Sequence, residues 1–180
     1  MSEADKTLID TISQAQNGSR EAFARLLEDH YDTIYRFAYR YTESTPDAED
    51  ITQNVCIKLA KSLSQYRSEA KFTTWLYRIV LNTAKDHARS TKRHEPSAPQ
   101  LPEQTEQPDL STPRLLDQIL GEIDKMGTGF KETVLLVIAE GLSHAEAGEI
   151  LDVSESTISW RLFETRKRLK ANTEIASTST

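Results

Sequence analysis

One cysteine, Cys56, stands in 180 residues, which excludes an internal disulfide and a cysteine-based zinc site. Long apolar runs are missing too. The longest, Val134 to Ala139, falls far short of the roughly 20 residues that a membrane-spanning helix needs. Residues Met1 to Thr11 mix acids with Lys6 and hold no apolar signal core, so nothing there marks the chain for export. The cytoplasm is the expected compartment. The four histidines, His30, His87, His94 and His144, show no metal-ligand spacing, and no glycine-rich loop is available to cradle a phosphate. No catalytic activity, metal, cofactor, small-molecule substrate or membrane insertion is therefore expected. Positive charge is also short: 22 Lys and Arg against 28 Asp and Glu leave a net charge of −6. A protein that grips DNA tightly on its own usually carries a basic excess to neutralise phosphates. Any nucleic-acid binding here must rest on local basic faces, or on a partner that supplies much of the phosphate contact.

What is present reads as an all-α protein of two small helical domains. Pro96, Pro99, Pro102, Pro108 and Pro113 cluster in a stretch, residues 94–113, with almost no large apolar side chain. Such a stretch cannot bury enough surface to fold and favours extended backbone, so it reads as a flexible linker. It separates an N-terminal domain, residues 1–93, from a C-terminal one, residues 114–172, followed by a Ser/Thr-rich tail, 173–180, expected to be frayed. In the first domain, Phe23, Leu26, Leu27, Ile34, Phe37, Ala38 and Tyr41 recur at helical spacing between Glu21 and Tyr41. A second helix follows, with Thr45 as cap, Pro46 in its first turn, and Ala48, Ile51, Val55, Leu59 and Leu63 as its buried stripe. A third runs from about Thr73 to Arg93, with Leu76, Ile79, Val80 and Ala84 facing inward. Four shorter helices make up the second domain. Pro113 opens the first, Gly141 ends the second, Ser143 and Glu146 form a capping box on the third, and Ser154 caps the last.

The final pair, a short helix and a longer one joined by the tight turn Asp152-Val153, matches a helix-turn-helix. Its second helix presents Ser156, Ser159, Trp160, Phe163, Glu164, Arg166, Lys167 and Lys170. Hydroxyls and aromatics near its start suit base edges, and the later cations suit phosphates. The same pattern also fits a plain helical bundle with a solvated charged face. In the first domain, Arg78, Lys85, Arg89, Lys92 and Arg93 project from the third helix, with Trp75 and Tyr77 at its start and the polar loop Tyr66 to Lys71, which includes Arg67, before it. Cations interleaved with aromatics suit single-stranded or melting DNA; taken alone, Trp75 and Tyr77 read rather as core residues and the charges as a solvated face, since Trp is usually buried. Asp47, Glu49 and Asp50 open the second helix, with Gln53 and Asn54 on its polar side. They are dipole compensation at the least. With Ile57 as an exposed knob, they also form a face suited to another protein's helices.

Read in order, these segments resemble the extracytoplasmic-function sigma factors, the alternative specificity subunits of bacterial RNA polymerase. Asp47-Ala48-Glu49-Asp50-Ile51-Thr52-Gln53 is similar to the family's motif for docking on the β′ clamp. The resemblance thus implies a polymerase-docking set of Asp47, Glu49, Asp50, Gln53, Asn54 and Ile57. Phe72 to Ile79, followed by Asn82, Asp86 and Arg89, is similar to the part that opens and reads the −10 promoter element. It implies contacts from Tyr66, Arg67, Lys71, Trp75, Arg78, Asn82, Lys85 and Arg89. Glu140 to Ser143, Glu149 to Leu151 and the segments through Leu169 resemble the −35 reader, implying contacts from Ser156, Thr157, Ser159, Trp160, Arg161, Phe163, Arg166 and Lys167. The family also implies promoter DNA and core polymerase, through its β′ and β subunits, as partners, and an anti-sigma factor that can hold the chain at the inner membrane face. A polymerase core that grips DNA explains an acidic chain with two local basic faces. The chain departs from the family at Cys56, Ala147-Gly148, Asp152, Ser159, Trp160 and Glu164, most of them in the −35 reader. Two other readings remain: a sigma-like mimic that sequesters an anti-sigma factor, and an ordinary helix-turn-helix regulator. The first leaves the basic helix without a purpose, the second the acidic docking segment.

Overall fold

Every regular element among the described residues is helical, as the periodicities require. The computed structural model describes the backbone of residues 3–94 and 113–178, with side chains over 5–91 and 119–171. Residues 95–112, nearly all of the expected linker, lie outside the described residues. The chain divides into two units, Met1–Ser90 and Thr91–Thr180.

The first unit begins with a helix that the periodicity does not announce, α1 (Glu3–Gln16). Leu8, Ile9 and Ile12 are too few to stand out among polar neighbours, yet Ile12 is buried. The Gln16 side-chain amide then donates to the carbonyls of Leu63 at 2.9 Å and Tyr66 at 2.8 Å, tying α1 to a distant turn. Helix α2 (Arg20–Thr42) starts at Ser19, whose hydroxyl accepts the Ala22 N–H at 3.2 Å. Its Leu26, Ile34, Phe37 and Ala38 are buried, while Phe23, Leu27 and Tyr41 are half-buried at the margin of the stripe.

Helix α3 (Thr45–Ser62) is capped one residue earlier than expected. Ser44, not Thr45, holds the extended backbone of a cap (φ −134°, ψ 121°), and its hydroxyl faces the Asp47 N–H at 3.4 Å. Pro46 still falls in the first turn, where its missing N–H goes unneeded. The expected stripe Ala48, Ile51, Val55, Leu59 and Leu63 is at most 3% exposed. A 3₁₀ turn, Leu63–Gln65, leads through a loop to α4 (Phe72–His94). Leu76, Val80 and Ala84 are buried as expected, and Ile79 only half so. Tyr77 belongs to the core: it is 5% exposed, with its ring 5.5 Å from Phe37.

The second unit contains α5 (Pro113–Asp124), α6 (Phe130–Val134), α7 (His144–Leu151) and α8 (Glu155–Thr178). Helix α6 widens into a π turn, Leu135–Ala139, closed by the Glu140 N–H on the Leu135 carbonyl at 3.0 Å. Gly141 ends it in the left-handed conformation (φ 71°), which lets the Leu142 N–H reach the Leu136 carbonyl at 3.0 Å. Helix α8 corrects one expectation, since it runs to Thr178 through most of the segment read as a frayed tail. No glycine or proline follows Gly148, so backbone chemistry supplies no stop signal. Ile158 and Leu162 of α8 are buried with Leu136 and Ala147 in this unit's core.

Candidate nucleic-acid and docking surfaces

Three surfaces collect the residues singled out in the sequence. The first is the outer face of α3. Glu49, Asp50, Gln53, Asn54 and Ile57 are exposed, Ile57 at 47%. Such exposure for an isoleucine amid polar groups costs free energy unless something covers it. Asp47 is different. It is half-buried, and its carboxylate accepts from His87 Nε2 on α4 at 2.8 Å, pinning the head of α3 to α4. Lys58 and Asp86 link the same two helices at 3.4 Å. Sequence spacing gave no sign of either link, because the partners lie 40 and 28 residues apart.

The second surface runs along α4. Lys71, Trp75, Arg78, Asn82, Lys85 and Arg89 follow steps of four and three residues, so they share one face. Trp75 is half-buried in an aromatic cluster, its ring 5.3 Å from Tyr66 and 5.7 Å from Phe72. Its other side remains accessible, so it anchors the loop and faces solvent at once. Tyr66 donates its hydroxyl to the Ala70 carbonyl at 2.8 Å, closing the loop that carries exposed Arg67 and Lys71. Arg89 reaches Asp86 only at 3.7 Å, with both side chains well exposed. Beside the loop, α1 completes a groove of about 430 Å³ lined by Leu8, Ile9, Ile12, Tyr66, Lys71 and Phe72. This wall of the surface was missed with α1 itself; the Leu8, Ile9, Ile12 spacing was its one signal.

The third surface is the helix-turn-helix. Ser143 and Glu146 form the expected capping box: the Ser143 hydroxyl accepts the Glu146 N–H at 3.2 Å, and Glu146 Oε2 accepts the Ser143 N–H at 2.9 Å. Asp152 ends α7 in the left-handed conformation (φ 54°), which Asp tolerates better than most residues. The turn then folds back so tightly that a Cβ on Gly148 would lie 2.8 Å from the Val153 carbonyl oxygen. Gly148, a weak helix former, is therefore required by close approach. Ser154 caps α8, its hydroxyl accepting the Thr157 N–H at 3.2 Å and lying 2.8 Å from the hydroxyls of Ser156 and Thr157.

On α8, Ser156, Ser159, Trp160, Phe163, Arg166 and Lys167 are exposed, Trp160 at 54% and Phe163 at 61%. The Trp160 ring meets Phe130 edge-on at 5.6 Å, and Ser159 Oγ lies 2.9 Å from His144 Nδ1. Arg161, expected among the base-facing residues, is half-buried. Its guanidinium lies over Gly129, where a Cβ would come within 2.5 Å of Arg161 Cζ, and donates to the Gly129 carbonyl at 3.4 Å. A glycine 32 residues away decides the orientation of this side chain, so the helical wheel could not reveal it.

Among the described residues no group of His, Cys, Asp and Glu could hold a metal ion, and no helix is long and apolar enough to cross a membrane. Cys56 is half-buried, and burial pushes its thiol pKa up.

Residues 26–94 match the Sigma-70 region 2 family. Over 173 residues the chain is 28% identical to the ECF RNA polymerase sigma-E factor of Haemophilus influenzae, covering 88% of this chain and 91% of that protein. Its fold is similar to that of CnrH, solved in complex with the cytosolic domain of CnrY, with a TM-score of 0.70 and 24% identity over 96% of this chain and 99% of that one. It is also similar to the sigma factor RpoE from Bartonella quintana, solved in complex with the anti-sigma factor NepR. There the TM-score is 0.64 and the identity 20%, over 85% of this chain and 97% of that one.

Proposed function

Because the chain belongs to the extracytoplasmic-function sigma factors of RNA polymerase, we propose that it binds core polymerase and directs it to promoters, its first unit taking the −10 element and its second the −35 element. It acts by binding rather than by catalysis, in the cytoplasm where the polymerase works. The observation that supports this most is the pairing of two surfaces on one unit. The acidic face of α3 carries an exposed Ile57, and the cation–aromatic stripe of α4 is joined to it through His87 and Asp47. A docking helix bonded to a strand-opening helix couples polymerase binding to DNA contact.

On this reading Glu49, Asp50, Gln53, Asn54 and Ile57 meet the β′ clamp, with Asp47 orienting the head of the helix. Arg67, Lys71, Arg78, Asn82, Lys85 and Arg89 hold the −10 strand, and the Trp75 ring, packed 5.3 Å from Tyr66, offers a surface on which an unstacked base can rest. Ser156, Ser159, Trp160 and Phe163 of α8 face the −35 bases, and Arg166 and Lys167 the phosphates. The chain is controlled by an anti-sigma factor, as the partner solved with the Bartonella quintana relative suggests. The test is run-off transcription with purified core polymerase and sheared genomic DNA. Initiation from a defined subset of fragments is expected. No initiation from any fragment, together with tight capture of an anti-sigma factor, would make the chain a mimic instead.

A further inference from the structure

We propose that Gln16, at the end of α1, is a positioning residue for −10 recognition: its side-chain amide clamps the turn from which the loop carrying Arg67 and Lys71 springs. The inference rests on the −10 assignment above and names a residue that acts through that loop rather than on DNA. A loop left free must be ordered when DNA binds, and that entropic cost is subtracted from affinity. Here the ordering is done in advance. The Gln16 amide nitrogen has two N–H groups to give, and it donates to the Leu63 carbonyl at 2.9 Å and to the Tyr66 carbonyl at 2.8 Å. The Leu63 carbonyl also closes the 3₁₀ turn by accepting the Tyr66 N–H at 3.1 Å. One side chain therefore spans the turn, from its first carbonyl to the first carbonyl of the loop.

Both sides of this clamp are themselves fixed. Ile12 of α1 is buried, and Gly18 (φ 93°) turns the chain so that the Ser19 N–H reaches the Gln14 carbonyl at 3.0 Å. Ser19 in turn caps α2. On the loop side, the Tyr66 hydroxyl donates to the Ala70 carbonyl, and the Tyr66 ring packs 5.5 Å from Phe72 and 5.3 Å from Trp75. Ser68, between Arg67 and Lys71, stands in the left-handed conformation (φ 58°), which a serine keeps only where its surroundings over-determine it. Tyr66 joins the two sides, its carbonyl taking the Gln16 amide while its ring and hydroxyl set the rest of the loop. Helix α1 precedes residues 26–94 that match the family, so this contribution to promoter contact comes from outside the matched segment.

Gln16→Met keeps the length, neutrality and helix propensity of the side chain and removes both donors. Gln16 is exposed, so the variant folds, which circular dichroism verifies. In the free full chain, the amides of residues 66–71 are expected to exchange with deuterium about fivefold faster than in the parent. Holoenzyme affinity for a promoter fragment from the run-off experiment is expected to fall about fivefold, equivalent to about 1 kcal/mol, the scale of one hydrogen bond. Competition for core polymerase stays unchanged. A double-mutant cycle separates positioning from general destabilisation: in an Arg67→Ala/Lys71→Ala chain, Gln16→Met should cost about twofold at most, because the loop has no cations left to place. Unchanged exchange, unchanged promoter affinity, an equal loss in core competition, or the full loss repeated in the Arg67→Ala/Lys71→Ala chain would each overturn the inference and leave the promoter reading intact. An Arg67→Ala/Lys71→Ala chain that binds the fragment as tightly as the parent would instead remove the −10 assignment, and the inference with it.

Discussion

Replacing Gly148 by alanine pits two effects of opposite sign against each other. In an ordinary helix interior the change is worth about 1 kcal/mol of stabilisation through helix propensity. Here the new methyl would sit 2.8 Å from the Val153 carbonyl oxygen and 3.5 Å from the Glu155 nitrogen. These are backbone atoms, so no rotamer change relieves the clash. The turn cannot simply swing away, because the Val153 N–H bonds the Gly148 carbonyl at 3.0 Å and Asp152 already sits in the left-handed region. Overpacking of a tight site costs about 1–3 kcal/mol, and steric contact with fixed backbone lies toward the upper end. The net expectation is a loss of about 1–2 kcal/mol, or roughly 5–10 °C in the melting temperature of a unit this size. The two tryptophans fall one in each unit, so fluorescence in a Trp75→Phe background reports Trp160 and the second unit alone. A lower melting temperature for that unit, with −35 binding weakened and −10 contacts retained, is the expected result. A Gly148→Ala chain that melts higher would refute the close-approach argument and leave Gly148 as a poor helix residue.

Asp50→Arg should weaken competition for core polymerase at least tenfold while leaving the melting profile unchanged, since the side chain is exposed; an unchanged competition curve would move the docking face elsewhere. Arg89→Ala should slow promoter opening, followed by permanganate reactivity of unpaired thymines, more than it weakens core binding, and equal losses in both would count against its place on the DNA stripe. Burial raises the Cys56 thiol pKa, so the thiolate is scarcer in the folded chain. Iodoacetamide should therefore label folded protein at neutral pH more slowly than urea-unfolded protein, and the rate should keep climbing above the pH at which an unfolded thiol levels off. That linkage contribution to stability is present below the unfolded pKa and fades as pH rises through the folded one. Equal labelling rates in the two states would show that the thiol is not shielded.

The apolar periodicity determined α2, α3 and α4 and their buried stripes, because an amphipathic helix long enough to bury four or five large side chains writes its spacing into the chain. Caps were legible to within a residue: the capping box of Ser143 and Glu146 was, whereas Ser44 took the role assigned to Thr45, since neighbouring hydroxyls differ only in backbone dihedrals that packing sets. Helix α1 stayed illegible because three apolar residues carry too weak a pattern, and its bonds from Gln16 reach carbonyls 47 and 50 residues away.

The surfaces divide in the same way. Sequence determined which residue types share the α3, α4 and α8 faces, since spacing along one helix fixes its faces. Only tertiary structure decided what each side chain does there. His87 takes Asp47, Trp75 splits between cluster and solvent, and Arg161 bonds the Gly129 carbonyl. Each of these choices depends on an atom far away in sequence, and no local pattern encodes the position of such an atom.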